Sequence, residues 1–267
     1  MAIQRVKSKL AKTEVLNRNE NLRDFIPLTR KLTEASLHDM LARYSMLYAK
    51  PDLGTFGQGV IRIESSNNGY RFQLGTSVHR YNTLNGLYQG ILQHKKKGVY
   101  VVQRGIHLLK HKGRRFDIRV MVQQTPKGEW ESTGIIGRLA HPSRIVTNYH
   151  SGGTPMSFAT LTGRHMSAER RRSYIDRLRR LGISVARQLQ TQYPRIKELG
   201  LDVAIDTEFK PWLLEVNTRP DPYIFRKLEN KSVFRKIYRY AVAYGRYKAP
   251  RAQRIRRTVR TIKRAAR

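Results

Sequence analysis

"LLEVNTRPD", residues 213–221, sets the carboxylate of Glu215 and the amide of Asn217 two positions apart, directly after Trp212, Leu213 and Leu214. The segment reads as a buried strand, and side chains at i and i+2 of a strand point to the same face. Two oxygen-bearing groups on a buried face are costly unless something pairs with them. A hard cation such as Mg²⁺ suits carboxylate and amide oxygens. An edge strand with a solvated face explains the same pair, so the neighbouring sequence has to decide.

The upstream stretch "LDVAIDTEFKPW" (201–212) supplies a second strand. A two-residue turn at Glu208 and Phe209 pairs Thr207 with Lys210 and, in the same register, Asp202 with Glu215. Directly opposed residues share a sheet face, so Asp202, Glu215 and Asn217 are expected to converge. Carboxylates held that close repel unless one is protonated or a metal bridges them. The expectation is a divalent-cation site on a hairpin, with Asp206 near the turn and solvated.

Two further hairpins lie upstream. One covers 60–75, with the turn "NNG" between "VIRIESS" and "YRFQLG"; the other joins "FDIRVMVQQ" (116–124) to "EWESTGIIGRLA" (129–140) through a turn at 126–128. Leu37, Met40, Leu41 and Tyr44 mark one apolar helix face, and Tyr174, Leu178, Leu181, Val185 and Leu189 mark the stripe of a long helix across 167–192. A strand at 45–50, a short helix near 83–94, a strand at 99–103 and a loop-rich stretch after Ala140 complete the reading. Hairpins and helices without regular βαβ alternation argue an α+β fold.

The chain has 267 residues, 39% of them hydrophobic, enough for one large or two small domains. No apolar run approaches the ~20 residues of a membrane span, and "MAIQRVKSKLAKTEV" at the start lacks the apolar core of a secretory signal. Without cysteine there is no disulfide, thiolate metal site or Cys nucleophile. A cytoplasmic protein is the expectation. Lys and Arg number 53 against 19 Asp and Glu, a net charge of +34 that draws polyanions. Nucleic acid, an acidic polymer, an acidic peptide and an anionic surface all fit that charge. From Arg226 onward only Glu229 is acidic, and Val233, Ile237, Tyr240 and Tyr244 predict a helix docked by one face. Beyond Pro250 the stripe thins among arginines, which predicts a mobile or partner-bound end.

In "AKPDLGTFGQGV" (49–60), Gly54, Gly57 and Gly59 allow backbone N–H groups to turn inward around phosphate oxygens, with Lys50 supplying a cation. The spacing is neither the Walker loop nor the Rossmann fingerprint. Alone it reads as a turn; ahead of a metal-binding hairpin it reads as a phosphate cradle. In "RFDIRV" (115–120), Asp117 and Arg119 share the face opposite Phe116, Ile118 and Val120, and Arg138 lies in the partner strand. Paired guanidinium groups in a cleft clamp phosphate bidentately; a surface ion pair between Asp117 and Arg119 is the simpler alternative.

Taken in order, "YAKPDLGTFGQGV", "VYVVQRGI", "FDIRVMVQ", "GIIGRLA", "VTNYHSGG" and "LDVAIDTEFKPWLLEVNTRP" resemble the ATP-grasp superfamily, most closely its YheC/YheD branch, associated with the endospore coat. The resemblance covers about residues 12–225 and implies two α+β subdomains gripping ATP. Residues 1–225 would form the ATP-grasp domain, with a small lid-like subdomain over about 45–98, and 226–267 a basic helical tail. It makes Lys50 the phosphate lysine beneath a lid containing Gly54, Gly57 and Gly59, and Lys12 an earlier nucleotide-binding lysine. Residues 101–106, with Gln103, Gly105 and Ile106, would be the hinge that reads adenine. Asp202, Glu215 and Asn217 would hold Mg²⁺, with Mn²⁺ as the alternative ion. Arg119 and Arg138 would face the transferred phosphoryl group and the substrate carboxylate.

The chemistry so implied is ligation: a carboxylate attacks the γ-phosphate to give an acylphosphate, and an amine displaces phosphate to form an amide. Positioning and charge neutralisation do most of that work, in keeping with the lack of a Ser-His-Asp or Cys-His signature. Two departures stand out. Arg104 follows Gln103 where many relatives carry an acid for the ribose, and only about a dozen residues precede Lys12, where such enzymes usually carry another domain. Either the substrate site is built differently, or a partner completes it, or nucleotide binding survives without ligation. The leading expectation is an ATP- and Mg²⁺-dependent carboxylate–amine ligase acting on an acidic small molecule, peptide or polymer, with the tail available to an anionic polymer. The alternative is a nucleotide-binding spore-coat component with little turnover. A nucleic-acid-binding protein ranks last, resting on charge and tail alone.

Overall fold

Period-two alternation along the strands and 3.6-residue stripes along the helices sort the chain into two antiparallel sheets, each backed by helices. The computed structural model describes residues 2–55 and 57–248. Helices α1 (Lys9–Asn17) and α2 (Glu20–Arg23) come first, followed by β1 (Thr29–Lys31), α3 (Glu34–Leu41), β2 (Met46–Pro51), β3 (Ile61–Ser66), β4 (Gly69–Leu74), β5 (Ser77–Tyr81), α4 (Leu84–His94) and β6 (Tyr100–Arg104). These strands form the first sheet in the order β1-β6-β2-β3-β4-β5. Its core joins Leu37 and Met40 of α3, Leu87 and Ile91 of α4, and Leu47, Ile61, Ile63, Phe72 and Val102 of the sheet.

The second sheet follows: β7 (Lys110–His111), β8 (Arg114–Gln124), β9 (Trp130–Leu139), β10 (Thr154–Met156), α5 (Phe158–Thr162), α6 (Ala168–Gln192), β11 (Glu198–Ile205), β12 (Pro211–Asn217) and α7 (Lys231–Ala243). Its order is β10-β9-β8-β11-β12, with β7 added to β8. Phe116, Ile118, Val120 and Val122 of β8 and Leu199, Leu201, Val203 and Ile205 of β11 pack with the α6 stripe read from the sequence. Each large side chain buried there contributes on the order of 2 kcal/mol. A β-carbon at Gly182 would stand 2.8 Å from Val122 Cγ2, so glycine lets α6 lie this close to the sheet. The other face of β8 is divided: Asp117 borders the cleft between the sheets, while Met121 packs with Ile136, Phe225 and Ile237 under α7.

The fold is α+β, and the hairpins at 60–75 and 116–140 stand where the sequence predicts them. Four strands escaped the reading: β1, β5, β7 and β10. Two-residue β7 pairs only with β8, and the other three lie at sheet edges, where half the backbone is unpaired and little alternation is needed. The first sheet accordingly draws on residues 29–104, more than the 45–98 expected of a small subdomain.

The third hairpin reaches the expected register by another route. Asp206 N–H donates to Lys210 O and Phe209 N–H to Asp206 O, a three-residue turn with Phe209 at φ 64. Asp206 is not merely solvated: its carboxylate accepts from the Glu208 and Lys210 amides and from Trp212 Nε1 at 2.7 Å. The longer turn would misalign the strands by one residue, but β12 carries an extra residue, Leu214. Val203 pairs with Leu213, and Asp202 again pairs with Glu215.

Helix α7 is the docked basic helix expected after Arg226, with Ile237, Tyr240 and Ala241 buried. The tail beyond Pro250 lies outside the described residues. Among the described residues no helix is long and apolar enough to cross a membrane. Fully buried Glu198 ties the N-terminal segment and the segment after α7 to β11, accepting from Arg5 Nη1 at 2.7 Å, Tyr244 Oη at 2.7 Å and Arg246 Nη1 at 2.6 Å. Removing one side of a buried ion pair strands the other. Glu198→Ala is therefore expected to lower unfolding free energy by about 3 kcal/mol or more, read as a reduced urea midpoint; an unchanged midpoint would refute the latch.

Candidate functional site

Register assembles one wall of the site. Asp202 lies opposite Arg119, and Asp117 opposite Arg138. Arg119 Nε donates to Asp202 Oδ1 at 2.6 Å, Arg138 Nη2 stands 3.0 Å from Asp202 Oδ2, and Arg138 grips Asp117 with two nitrogens. All four side chains are buried. Burial alone would raise the Asp202 pKa, but the guanidinium groups of Arg119 and Arg138 outweigh it and hold the carboxyl below the usual range. The expected surface pair between Asp117 and Arg119 is replaced by this crossed network.

The bulge in β12 builds the adjoining wall. An extra residue re-aims its neighbours, and here Leu214 and Glu215, consecutive in sequence, both line the cleft. Glu215 pairs with Lys9 Nζ at 3.6 Å, and Asn217 Nδ2 points at Gly200 O, 3.5 Å away. The expected convergence is therefore incomplete. Asp202 and Glu215 are opposed, but each carboxylate has its own cation, so no metal is needed to relieve repulsion. Among the described residues, no three acidic, histidine or cysteine side chains form a metal-binding group.

The glycine-bearing loop closes the cleft from the first sheet. Gly57 and Gly59 have φ of 72° and 73°, in the left-handed region that favours glycine. A β-carbon at Gly57 would lie 3.0 Å from Asn148 Oδ1, so the loop rests on segment 145–148 of the second lobe. Lys9, at the start of α1, holds the loop's base by donating to Pro51 O and Gly54 O, both at 2.9 Å. Lys50 donates to Gln103 Oε1 at 2.6 Å, and Gln103 in turn donates to Thr29 Oγ1 at 2.9 Å and to the carbonyl of bulged Leu214 at 3.4 Å. Gln103 thus joins the two sheets and orients Lys50. Burial pushes the Lys50 ammonium down to about 8, with Glu215 opposing the shift. Lys12 falls to about 8 for the same reason.

Lys50, Gly54, Gly57, Gln103, Ile106, Asp202 and Glu215 line a single cleft between the sheets, enclosing about 870 Å³ with its open mouth. Lys12, Gly59, Gly105, Asn217, Arg119 and Arg138 do not line it. Lys12 is buried beside it and donates to Val6 O and Lys7 O; Arg119 and Arg138 are engaged by the carboxylates Asp202 and Asp117, which do line it. The hinge also narrows: Val101 to Gln103 are paired on both sides, with β1 and β2, so their backbone is committed. Among the described residues the Ile106 amide makes no backbone hydrogen bond. Arg104 is stacked between Tyr44 and Trp212, 4.9 and 5.0 Å from the ring centres. Sequence reasoning missed Lys9, Asp117 and Asn148 as cleft residues. Lys9 had a signal, since it shares a helix face with Lys12 at i, i+3; Asn148 meets Gly57 only through tertiary packing.

A model of YheC/D-like ATP-grasp proteins matches residues 3–247. The chain belongs to that family. The YheC/D-like ATP-grasp family sits within a superfamily of ATP-dependent ligases. Two relatives are endospore coat-associated proteins of Bacillus subtilis (strain 168). YheD is 23% identical over 219 residues, 79% of this chain and 48% of YheD. YheC is 22% identical over 213 residues, 77% of this chain and 57% of YheC. The chain thus spans about half the length of these relatives. An N5-carboxyaminoimidazole ribonucleotide synthetase solved as its ADP complex matches with a TM-score of 0.53 and 11% identity, over 88% of this chain and 51% of that one. At that identity the likeness is one of fold.

The lysines give the ATP-grasp cleft a pH signature. An unfolded lysine keeps its proton to about 10.5, whereas folded Lys12 and Lys50 release theirs near 8. Between those values the unfolded chain binds more protons, so stability rises with pH. The penalty is fully present below pH 8. The urea midpoint is expected to increase from pH 8 to about 10, and Lys50→Met should flatten part of that slope. A midpoint that falls over this window in the parent chain would contradict it.

Proposed function

We propose that the chain is an ATP- and divalent-metal-dependent carboxylate–amine ligase working through an acylphosphate. The observation that carries this reading is the convergence of Lys9, Lys50 and the glycine-bearing loop with Glu215 in one cleft of an ATP-grasp fold. Backbone amides of Gly54, Gly57 and Gly59 cradle phosphate oxygens, Lys9 and Lys50 neutralise them, and Leu214 and Ile106 offer apolar contact to the base beside the Ile106 amide. The first sheet, carrying the loop, serves as the lid.

For the metal, Glu215 is the donor that fits, since it lines the cleft; Asn217, two positions further along β12, does not line it. A small hard ion is commonly held by one or two protein oxygens together with substrate phosphates. Asp202 fits less well, because both its oxygens accept from arginine; with Arg119 and Arg138 it fixes the wall instead. Mg²⁺, or Mn²⁺ in its place, would neutralise charge on the phosphates when bound. A substrate carboxylate oxygen then attacks the γ-phosphorus as the bond to ADP breaks. An amine adds to the acyl carbon, phosphate leaves, and the amine's proton passes to solvent. The chain's share is positioning and charge neutralisation, with Arg119 and Arg138 acting as positioning residues through Asp202 and Asp117.

ADP with Mg²⁺ is expected to raise the melting temperature, since a ligand of the folded state stabilises it by mass action. At pH 8.5, calorimetry in buffers of different ionisation enthalpy should record proton uptake as phosphate charge restores the depressed lysines. Lys9→Met should weaken binding about tenfold, the scale of one charged hydrogen bond. Glu215→Gln should remove the metal-dependent part and lower stability, because Lys9 loses its partner and Lys12 and Lys50 lose a stabilising charge. No saturable binding at millimolar ADP with Mg²⁺ would overturn the proposal. Binding without phosphate release on addition of carboxylates and amines would favour a nucleotide-binding coat component, the reading the endospore coat-associated relatives support.

A further inference from the structure

A second cleft opens beside the first and shares Ile106, Leu108, Arg115 and Ala140 with it. It lies at the end away from Lys9, Lys50 and Gly54, none of which lines it. Arg62, Lys110, Lys112, Arg114, Arg115 and Arg144 line it together with three histidines, and no Asp or Glu does. In a chain of net charge +34 a basic surface is the default, so charge alone decides nothing. The construction of the cleft does.

Both lobes contribute to it. Lys112 at φ 49 and Gly113 at φ 77 make a tight turn between β7 and β8 that carries Lys110, Lys112 and Arg114 to one rim. Arg62 comes from β3 of the other sheet, opposite Tyr48. Gln73 Nε2 reaches Ser143 O at 3.5 Å, beside Arg144, and closes the rim between the lobes. Among the described residues Lys110, Lys112, Arg114, Arg115 and Arg144 form no ion pair with a carboxylate, while nearby Glu64 is taken by Arg62 at 2.5 Å and Arg71 at 2.9 Å. One atom is out of place for a purely structural cluster: Arg62 Nε is buried and has no hydrogen-bond partner. A buried donor left unmade is costly, and a turn of the Arg62 side chain toward an acceptor in the cleft would satisfy it.

We propose that the second cleft binds a ligand carrying two or more phosphate groups. Guanidinium forks match phosphate bidentately, and phosphate delivers up to about two negative charges per group. That density suits five cations that have no carboxylate partner among the described residues, with Arg62 beside them on Glu64, better than scattered carboxylates do. The site shares a wall with the nucleotide cleft but lies beyond Lys9, Lys50 and Gly54, and it stands whether or not that cleft binds ATP.

Inorganic tripolyphosphate, titrated calorimetrically into the full chain at low salt, is the probe. Because it also resembles the phosphates of a nucleotide, the titration is repeated on Lys50→Met. The expected result is binding preserved in Lys50→Met and weakened at least about tenfold in Arg62→Gln/Arg144→Gln, on the scale of lost charged hydrogen bonds. Exposed Arg144 allows Arg144→Gln alone as a fold-neutral variant, expected to weaken binding about threefold. ADP affinity should be the same in the double variant and the parent; absence of ADP binding with tripolyphosphate binding intact would sink only the nucleotide reading. Unchanged tripolyphosphate affinity in a folded double variant, or its loss in Lys50→Met alone, would overturn the second site. Oligoglutamate of equal charge binding as tightly would overturn the phosphate assignment.

Discussion

The carboxylate of Asp202, buried between Arg119 and Arg138, is the interaction on which the second lobe's inner wall depends. Its partners stand on β8 and β9, so one residue of β11 links three strands through side chains as well as ladder hydrogen bonds. Such a network is worth little net stability against apolar packing, but removing one partner leaves a buried charge uncompensated. The wall is consequently all or nothing. It also dictates which groups meet the cleft: the carboxylates Asp117 and Asp202 line it, while the guanidinium groups that hold them do not.

Across the cleft the charges are less evenly matched. Lys9, Lys12 and Lys50 cluster near Glu215, with lesser support from Asp52 to Lys12 and from Asp202 and Asp117 to Lys50, and burial still lowers two of the three ammonium groups. A site arranged in this way is short of negative charge until an anion arrives. Gln103 is the mechanical counterpart, since one amide contacts Lys50, the first-sheet edge residue Thr29 and the bulged carbonyl of Leu214. Closure of the lobes and orientation of Lys50 are thereby coupled through a single uncharged side chain.

Much of this was legible in the sequence. The α6 stripe, the hairpins and the pairing of Asp202 with Glu215 follow from periodicity and register, which are local properties. The family phrases located the cleft because they mark the strand ends that border it. What was not legible depends on tertiary choice. Asp117 could pair with Arg119 or Arg138, and only the strand order selects Arg138. Two opposed carboxylates looked like a demand for metal because Lys9, far back at the start of the chain, could not be seen to arrive at Glu215. Edge strands β1, β5 and β10 left no pattern because their partners supply the order.

The three-residue turn at 207–209 and the extra residue Leu214 together bring Asp202 opposite Glu215. Loop length is ordinarily the most freely varied property of a hairpin. Here the closing pair matters more than the loop: a two-residue turn closed by the same Asp206 and Lys210 would leave Asp202 opposite Glu215. Changes in chain length at this turn can therefore persist without disturbing the cleft wall, so long as Asp206 and Lys210 still close it.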